Sequence, residues 1–401
     1  MSSKTQMQNW LILLAVGVGV VSTAIVAVVT FVHATKPRLH TDARSVPSVM
    51  GSAPLPQWTS AAEQARQIVR TNAVTQALPG ISVAVGVGGQ IVWTEGFGWA
   101  NIEEKTPVAP ETRFRIGHVS KALTSAAVGL LREQGRLHLD GEIQEYVAAF
   151  PKKQWRVTVR QLMGHVAGVR HYKDTEWGDK PSVHCDRASD GLPSFADDPL
   201  LFAPETQYQY STYGWVLVSA AVEAVAGEPF VQFMRTKIFE PLGMVRTSPD
   251  APTEVVPNRA TSYFRGNLGN ELTTRVDYSC FAGGGAFLST PSDLVRFGMA
   301  LMSGTFLKPD TTRVLQTRQH LTSGEETAYG LGWMLEDVEL AGTRTRVAGH
   351  ASRTIEGAST SFLTFPERGL VVAVTSNISF ADTRSIALAI AEAFATSINR
   401  K

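Results

Sequence analysis

The sequence predicts an α+β fold in which one antiparallel sheet is built from both chain ends and a helical subdomain is inserted between them. Two observations carry this: alternating strand pairs with an adjoining helix near each end, and a middle whose apolar residues recur at helical spacing. Apolar residues make up 44% of the 401, enough for a sizeable core. Lysine plus arginine (37) nearly cancel aspartate plus glutamate (36). No clustered basic face calls for nucleic acid, and none is expected as a partner. The chain carries no internal repeat and no low-complexity tract.

Residues 1–9 are a short tail. From Trp10 to Val32 runs WLILLAVGVGVVSTAIVAVVTFV, without a charge. At about 1.5 Å per residue it spans roughly 30 Å of hydrocarbon, and it exceeds the usual signal-peptide core of about 7–15 residues. Residues 10–32 are therefore expected to be a transmembrane anchor or signal segment, with the membrane as partner. Val32-His33-Ala34 also suits cleavage, so secretion is the alternative. Lys4 on one side and Lys36, Arg38 and Arg44 on the other lean narrowly towards a cytoplasmic body, by a margin too small to set orientation. The expectation is a membrane-anchored, extracytoplasmic (periplasmic) body. Residues 33–58 form the linker, rich in proline and serine over TDARSVPSVMGSAPLPQW. The domain itself spans 59–401.

Within it, Ser60-Ala61-Ala62-Glu63 reads as a capping box opening a helix to about Gln76. Residues 80–101 form two strands turned at Gly88-Gly89. Val119, Ala122, Leu123, Ala126 and Leu130 make an apolar stripe that stops at Gly135. Thr158 caps a short helix, 213–227 forms another, and Thr290-Pro291-Ser292-Asp293 opens a fourth. A hairpin over 359–377 turns at Pro366–Gly369, and 382–398 is amphipathic. A cleft between sheet and subdomain is the expected place for a small-molecule or peptide ligand. Cys185 and Cys280 pair in an oxidising compartment or remain thiols; their spacing decides neither.

Three stretches carry chemistry. In His118-Val119-Ser120-Lys121, positions 118 and 121 share a face at a helix start, where first-turn amides add a positive field. A nucleophile there uses its own N–H in an oxyanion hole and a desolvated lysine as proton acceptor. In Tyr210-Ser211-Thr212, a phenol beside ammonium groups is expected to have a lowered pKa and to relay a proton. In Gly349-His350-Ala351-Ser352, an imidazole and strand amides orient a carbonyl. Singly, each also reads as a helix cap, a core tyrosine or a surface histidine.

The order and spacing of the three resemble the serine β-lactamase and penicillin-binding-protein superfamily, with its S-x-x-K, Y-x-N and K/H-T-G motifs. The resemblance covers about residues 60–398, extends through 139–172, 197–227, 282–298 and 329–333, and is nearest to the mitochondrial β-lactamase-like branch, whose second motif is Y-S-T. It implies a β-lactamase/transpeptidase-like, class C-related fold, with Lys121 as proton acceptor, Tyr210 as general base and His350 opening the third motif. Thr212, Ser352 and Arg353 would then border the substrate. The branch's filaments imply self-assembly as a further expectation.

Two departures bear on activity. His118 stands where the resemblance places the nucleophilic serine, and Ser120 lies about 100° around the helix from Lys121. The branch's H-T-G-G is here His350-Ala351-Ser352-Arg353, and both Ser352 and Arg353 add bulk where glycine lets a substrate approach. Three readings stand open. One is a catalytically impaired member that keeps a binding cleft or a scaffold role. A second is a hydrolase of amide, ester or peptide bonds using His118 as base or nucleophile. The third is a zinc site on His118 and His350 near Tyr210, but no third ligand is evident; no metal and no cofactor is assigned. His165 and His171 are expected to be helix-end and loop hydrogen-bonders. Gly283–Gly285 is expected to permit close packing.

Overall fold

The computed structural model describes residues 39–173, 176, 184–251, 255–266, 269–273, 276–354 and 357–399. The N-terminal part supplies β1 (Ser48–Met50), α1 (Thr59–Thr75), β2 (Gly80–Val87) and β3 (Gln90–Asn101). The middle supplies α2 (Ser120–Glu133), α3 (Val159–Met163), α4 (Thr212–Ala226) and α5 (Pro291–Met302). The C-terminal part returns β4 (Met334–Leu340), β5 (Thr343–Thr354), β6 (Ala358–Phe365), β7 (Leu370–Ser376) and α6 (Thr383–Asn399). The sheet runs β1-β3-β2-β7-β6-β5-β4, and the two-residue strand Thr106–Pro107 pairs with β3 as the eighth. Every pairing in it is antiparallel.

The expected closure of one sheet from both chain ends is what forms. β7 lies against β2 from Leu370 opposite Val87 to Ser376 opposite Ile81. Both strands are buried along nearly their whole length, because helices cover both faces. On one face α1 and α6 bring Val69, Ala73, Ile390 and Phe394 onto the sheet, with Trp93 stacked on Phe394 at 6.2 Å. On the other, α2, α4 and α5 enclose a larger core that reaches the sheet through Ala84, Phe362 and Ala373. Gly88 and Gly89 turn the first hairpin with φ of 58° and 84°, values that favour residues without a Cβ.

Some local expectations differ. The first helix opens at Thr59 with no side-chain cap, because Glu63 bonds Arg66 and Gln67 on the helix surface. Part of the expected linker belongs to the sheet: Val46 is buried and Ser48–Met50 pairs with Glu95–Phe97. Proline and serine are tolerated there because an edge strand leaves one row of backbone groups unpaired. Residues 10–32, expected as anchor or signal, lie outside the described residues. Among the described residues no single helix is long and apolar enough to cross a membrane. α4 owes its apolar sequence to burial in the core.

Cys185 and Cys280 form a disulfide with Cα atoms 5.0 Å apart, across a sequence separation of 95. The bond ties the segment that begins at His184 to the wall that precedes Gly283–Gly285. Closing a loop of that length is worth about 4–5 kcal/mol in the chain-entropy model. Reduction, or a Cys185→Ser/Cys280→Ser variant, should therefore lower the urea midpoint clearly. An unchanged midpoint would mean that the denatured chain is already constrained there.

Candidate active site

The three sequence stretches converge where α2, α4 and β5 meet. A single 3-10 turn, Gly117–Val119, leads into α2. It packs on the part of β5 that β4 leaves free, since β4 pairs no further than Gly349. Strand alternation then sorts the third stretch. His350, Ser352 and Thr354 face the turn, whereas Arg353 points away and its Nη2 pairs with Asp382 Oδ1 at 2.7 Å. Arg353 is thus not brought to the cleft, and the bulk expected from it falls elsewhere.

Lys121 is fully buried. Its Nζ donates to Gly284 O at 3.0 Å and Thr212 Oγ1 at 3.3 Å, and lies 4.8 Å from the Tyr210 ring centroid. No carboxylate pairs with it among the described residues, so burial pushes its pKa well below the lysine range. Gly283 and Gly284 make this possible: a Cβ at Gly284 would press on Thr212 Cγ2 at 2.8 Å, and one at Gly283 on Ser219 Cβ at 2.7 Å. The expected packing role of these glycines is the observed one.

Tyr210 sits between imidazoles, with ring centroids 4.2 Å from His165, 5.5 Å from His118 and 5.8 Å from His171. Its hydroxyl is buried, with no hydrogen-bond partner among the described residues. Burial raises its pKa well above the ordinary phenol value, aided by Tyr208 and Tyr172. The lowered pKa possible beside ammonium groups does not arise, because desolvation dominates: Lys121 lies over the ring face and makes no hydrogen bond to the hydroxyl. His165 Nδ1 accepts from Ser211 N at 3.1 Å and His171 Nδ1 from Thr212 N at 3.0 Å. Both therefore serve as the expected hydrogen-bonders, holding the start of α4.

His350 is buried and held at both nitrogens. Nδ1 lies 2.9 Å from Ala351 O and must donate to it, which leaves Nε2 to accept from Tyr329 Oη at 2.9 Å. Burial first, and Lys121 second, hold its pKa down at about 3. Tyr329 is a site residue that sequence reasoning passed over. It lies in YGLGW, a stretch that carries the family resemblance without marking any one residue as chemical.

His118 is partly exposed and lines a cavity of about 20 Å³ with Arg115, Tyr172, Phe281 and Thr354, room for about one water. Burial, then Lys121 and the surrounding histidines, depress its pKa well below the ordinary imidazole value. Its backbone N–H is already engaged: it donates to Ser352 Oγ at 3.1 Å. Gly117 lies beneath that contact with φ of 50°, and a Cβ on it would overlap Ser352 Oγ. Ser120 Oγ is buried, with no hydrogen-bond partner among the described residues. Among the described residues no group of three His, Cys, Asp or Glu side chains converges to hold a metal.

A family model described as Beta-lactamase matches residues 65–395. The chain is 30% identical over 423 residues to the serine beta-lactamase-like protein LACTB, mitochondrial, of Bos taurus, covering 79% of this chain and 76% of that protein. It is 29% identical over 445 residues to the Mus musculus protein of that name, covering 84% and 81%. Its fold matches the octameric penicillin-binding protein homologue from Pyrococcus abyssi with a TM-score of 0.70 at 23% identity, over 81% of this chain and 75% of that one.

The buried imidazoles set a pH dependence. A folded-state pKa of about 3 for His350, against 6.5 unfolded, gives stability that is fully present above pH 6.5 and is lost as pH falls towards 3. His350 alone should cost about 2 kcal/mol between pH 7 and pH 5, and His118 and His165 act in the same direction. Thermal midpoints across this range should fall with acid, and less steeply in His350→Gln. Equal slopes would remove His350 from this role.

Proposed function

This chain belongs to the beta-lactamase family, and from that premise we propose that it is a catalytically silent member which keeps the family cleft as a binding site. The observation that carries this reading is the hydrogen bond from His118 N to Ser352 Oγ. A backbone N–H beside the reacting group stabilises an oxyanion only if it is free to reach one. Here a side-chain oxygen of the protein occupies that donor. The same position bears an imidazole in place of the family's serine hydroxyl, so the attacking atom and the amide beside it are both altered. Tyr210, with its pKa raised, is a poor base for any nucleophile that remains.

One observation favours a second reading, hydrolysis by water with His118 as base: its depressed pKa keeps the imidazole neutral at physiological pH. The two readings separate on turnover. In the first, purified protein does not hydrolyse chromogenic β-lactam, ester or D-amino-acid peptide substrates. Turnover that disappears in His118→Ala would overturn it and establish the second.

The proposal also includes anchoring by residues 10–32, with the domain in an oxidising compartment. The uncharged 23-residue stretch supports the anchor, and the Cys185–Cys280 pair supports the compartment. Release of the protein from membranes by alkaline carbonate would count against the anchor.

Restoring the missing parts tests the cleft. His118→Ser alone should label only weakly with a penicillin or fluorophosphonate probe, because Ser352 still occupies the amide. His118→Ser/Ser352→Gly should label at least tenfold more, read by intact-protein mass. Equal labelling of the two would show that Ser352 does not obstruct the site.

A further inference from the structure

A cavity of about 650 Å³ opens where residues 51–55, the start of β3 and the first turn of α5 meet. It shares no lining residue with the cavity beside His118, and its volume lies in the range of sites that take small organic molecules. Its lining has two characters. Ile91 gives an apolar patch on its wall, and Leu55 and Val245 hold apolar side chains at its rim, 52% and 75% exposed. Arg246 and Arg296 supply positive charge, with Glu111 as the carboxylate of the lining.

The nearby acid is already committed. Asp293 is fully buried and accepts from Arg246 N at 2.8 Å, Thr247 Oγ1 at 3.0 Å and Arg296 Nη1 at 2.8 Å. The guanidinium of Arg246 makes no ion pair or hydrogen bond with a described residue. With no described carboxylate paired to it, the Arg246 guanidinium leaves a positive charge at the cavity that a bound anion would balance. The first-turn amides of α5 reinforce the same sign of potential. Apolar side chains exposed at the rim favour a ligand whose charge is joined to a hydrocarbon part.

We propose that this cavity binds a single-chain amphiphile with an anionic head, a fatty carboxylate or an alkyl phosphate. The head lies at Arg246 and the start of α5, and the chain lies along Ile91, Val245 and Leu55. The test uses the full chain in lipid nanodiscs and a dodecanoate bearing a terminal diazirine, with photo-crosslinks located by peptide mass spectrometry. Crosslinks are expected within residues 51–55 and 90–94, where the labelled end of the chain lies. Arg246→Gln should reduce them roughly tenfold, as should Val245→Glu, whose exposed position leaves folding intact by circular dichroism. Dodecanoate and dodecyl phosphate should compete, whereas dodecyltrimethylammonium and inorganic phosphate should not. Crosslinks confined to other segments, or unchanged by both variants, would overturn the proposal. So would equal competition by the cationic amphiphile or by inorganic phosphate alone. Loss of the crosslinks in His118→Ala would move the ligand to the cleft and also overturn it.

Discussion

The ladder between β2 and β7 is the contact on which the rest of the molecule depends. It joins residues 81–87 to residues 370–376, and neither chain end has a complete sheet without it. β2 and β3 alone would be a hairpin with two exposed faces, marginal in water. Once β7 is in place, α1 and α6 share one face and the inserted helices close over the other. The candidate site inherits its geometry from that closure. His118 arrives on the turn that leads into α2 after the N-terminal strands, and Ser352 on a strand of the C-terminal part, 234 positions away in sequence. They touch because the two ends are one sheet.

The interior of the cleft is built from groups that prefer to be neutral. Lys121, four histidines and two tyrosines crowd together with no carboxylate among the described residues to balance an added charge, and burial moves each resolved pKa towards the uncharged form. Hydrogen bonds set the tautomers: His350 carries its proton on Nδ1, whereas His165 and His171 use Nδ1 to accept from the backbone. A cleft of this kind has well-defined donors and acceptors but little capacity to store a charge during a reaction.

Much of this was legible beforehand. The alternation in 80–101 and 359–377, with glycine at both turns, placed the central strands. The cap residues Thr158 and Thr290 placed two helices, and short motifs placed Lys121, Tyr210 and His350 in one cleft. What escaped the sequence was contact across long separations. The composition of 41–58 signals turns, but nothing local shows that Ser48–Met50 completes a sheet edge. The partner of His350 is Tyr329, which motif spacing does not reveal. The alternation of β5 turns Arg353 outward and Ser352 inward, and only the register of the strand separates them. Tyr210 was misjudged for a related reason: whether an ammonium lowers a phenol's pKa depends on where along the ring it sits.

Ser352 fits beside the first turn of α2 because Gly117 has no Cβ. Glycine is held at 117 on two independent counts: its φ of 50° strains any other residue, and a Cβ there would overlap Ser352 Oγ. The dependence runs one way. Replacing Ser352 by glycine removes the overlap but leaves position 117 bound to glycine by its backbone.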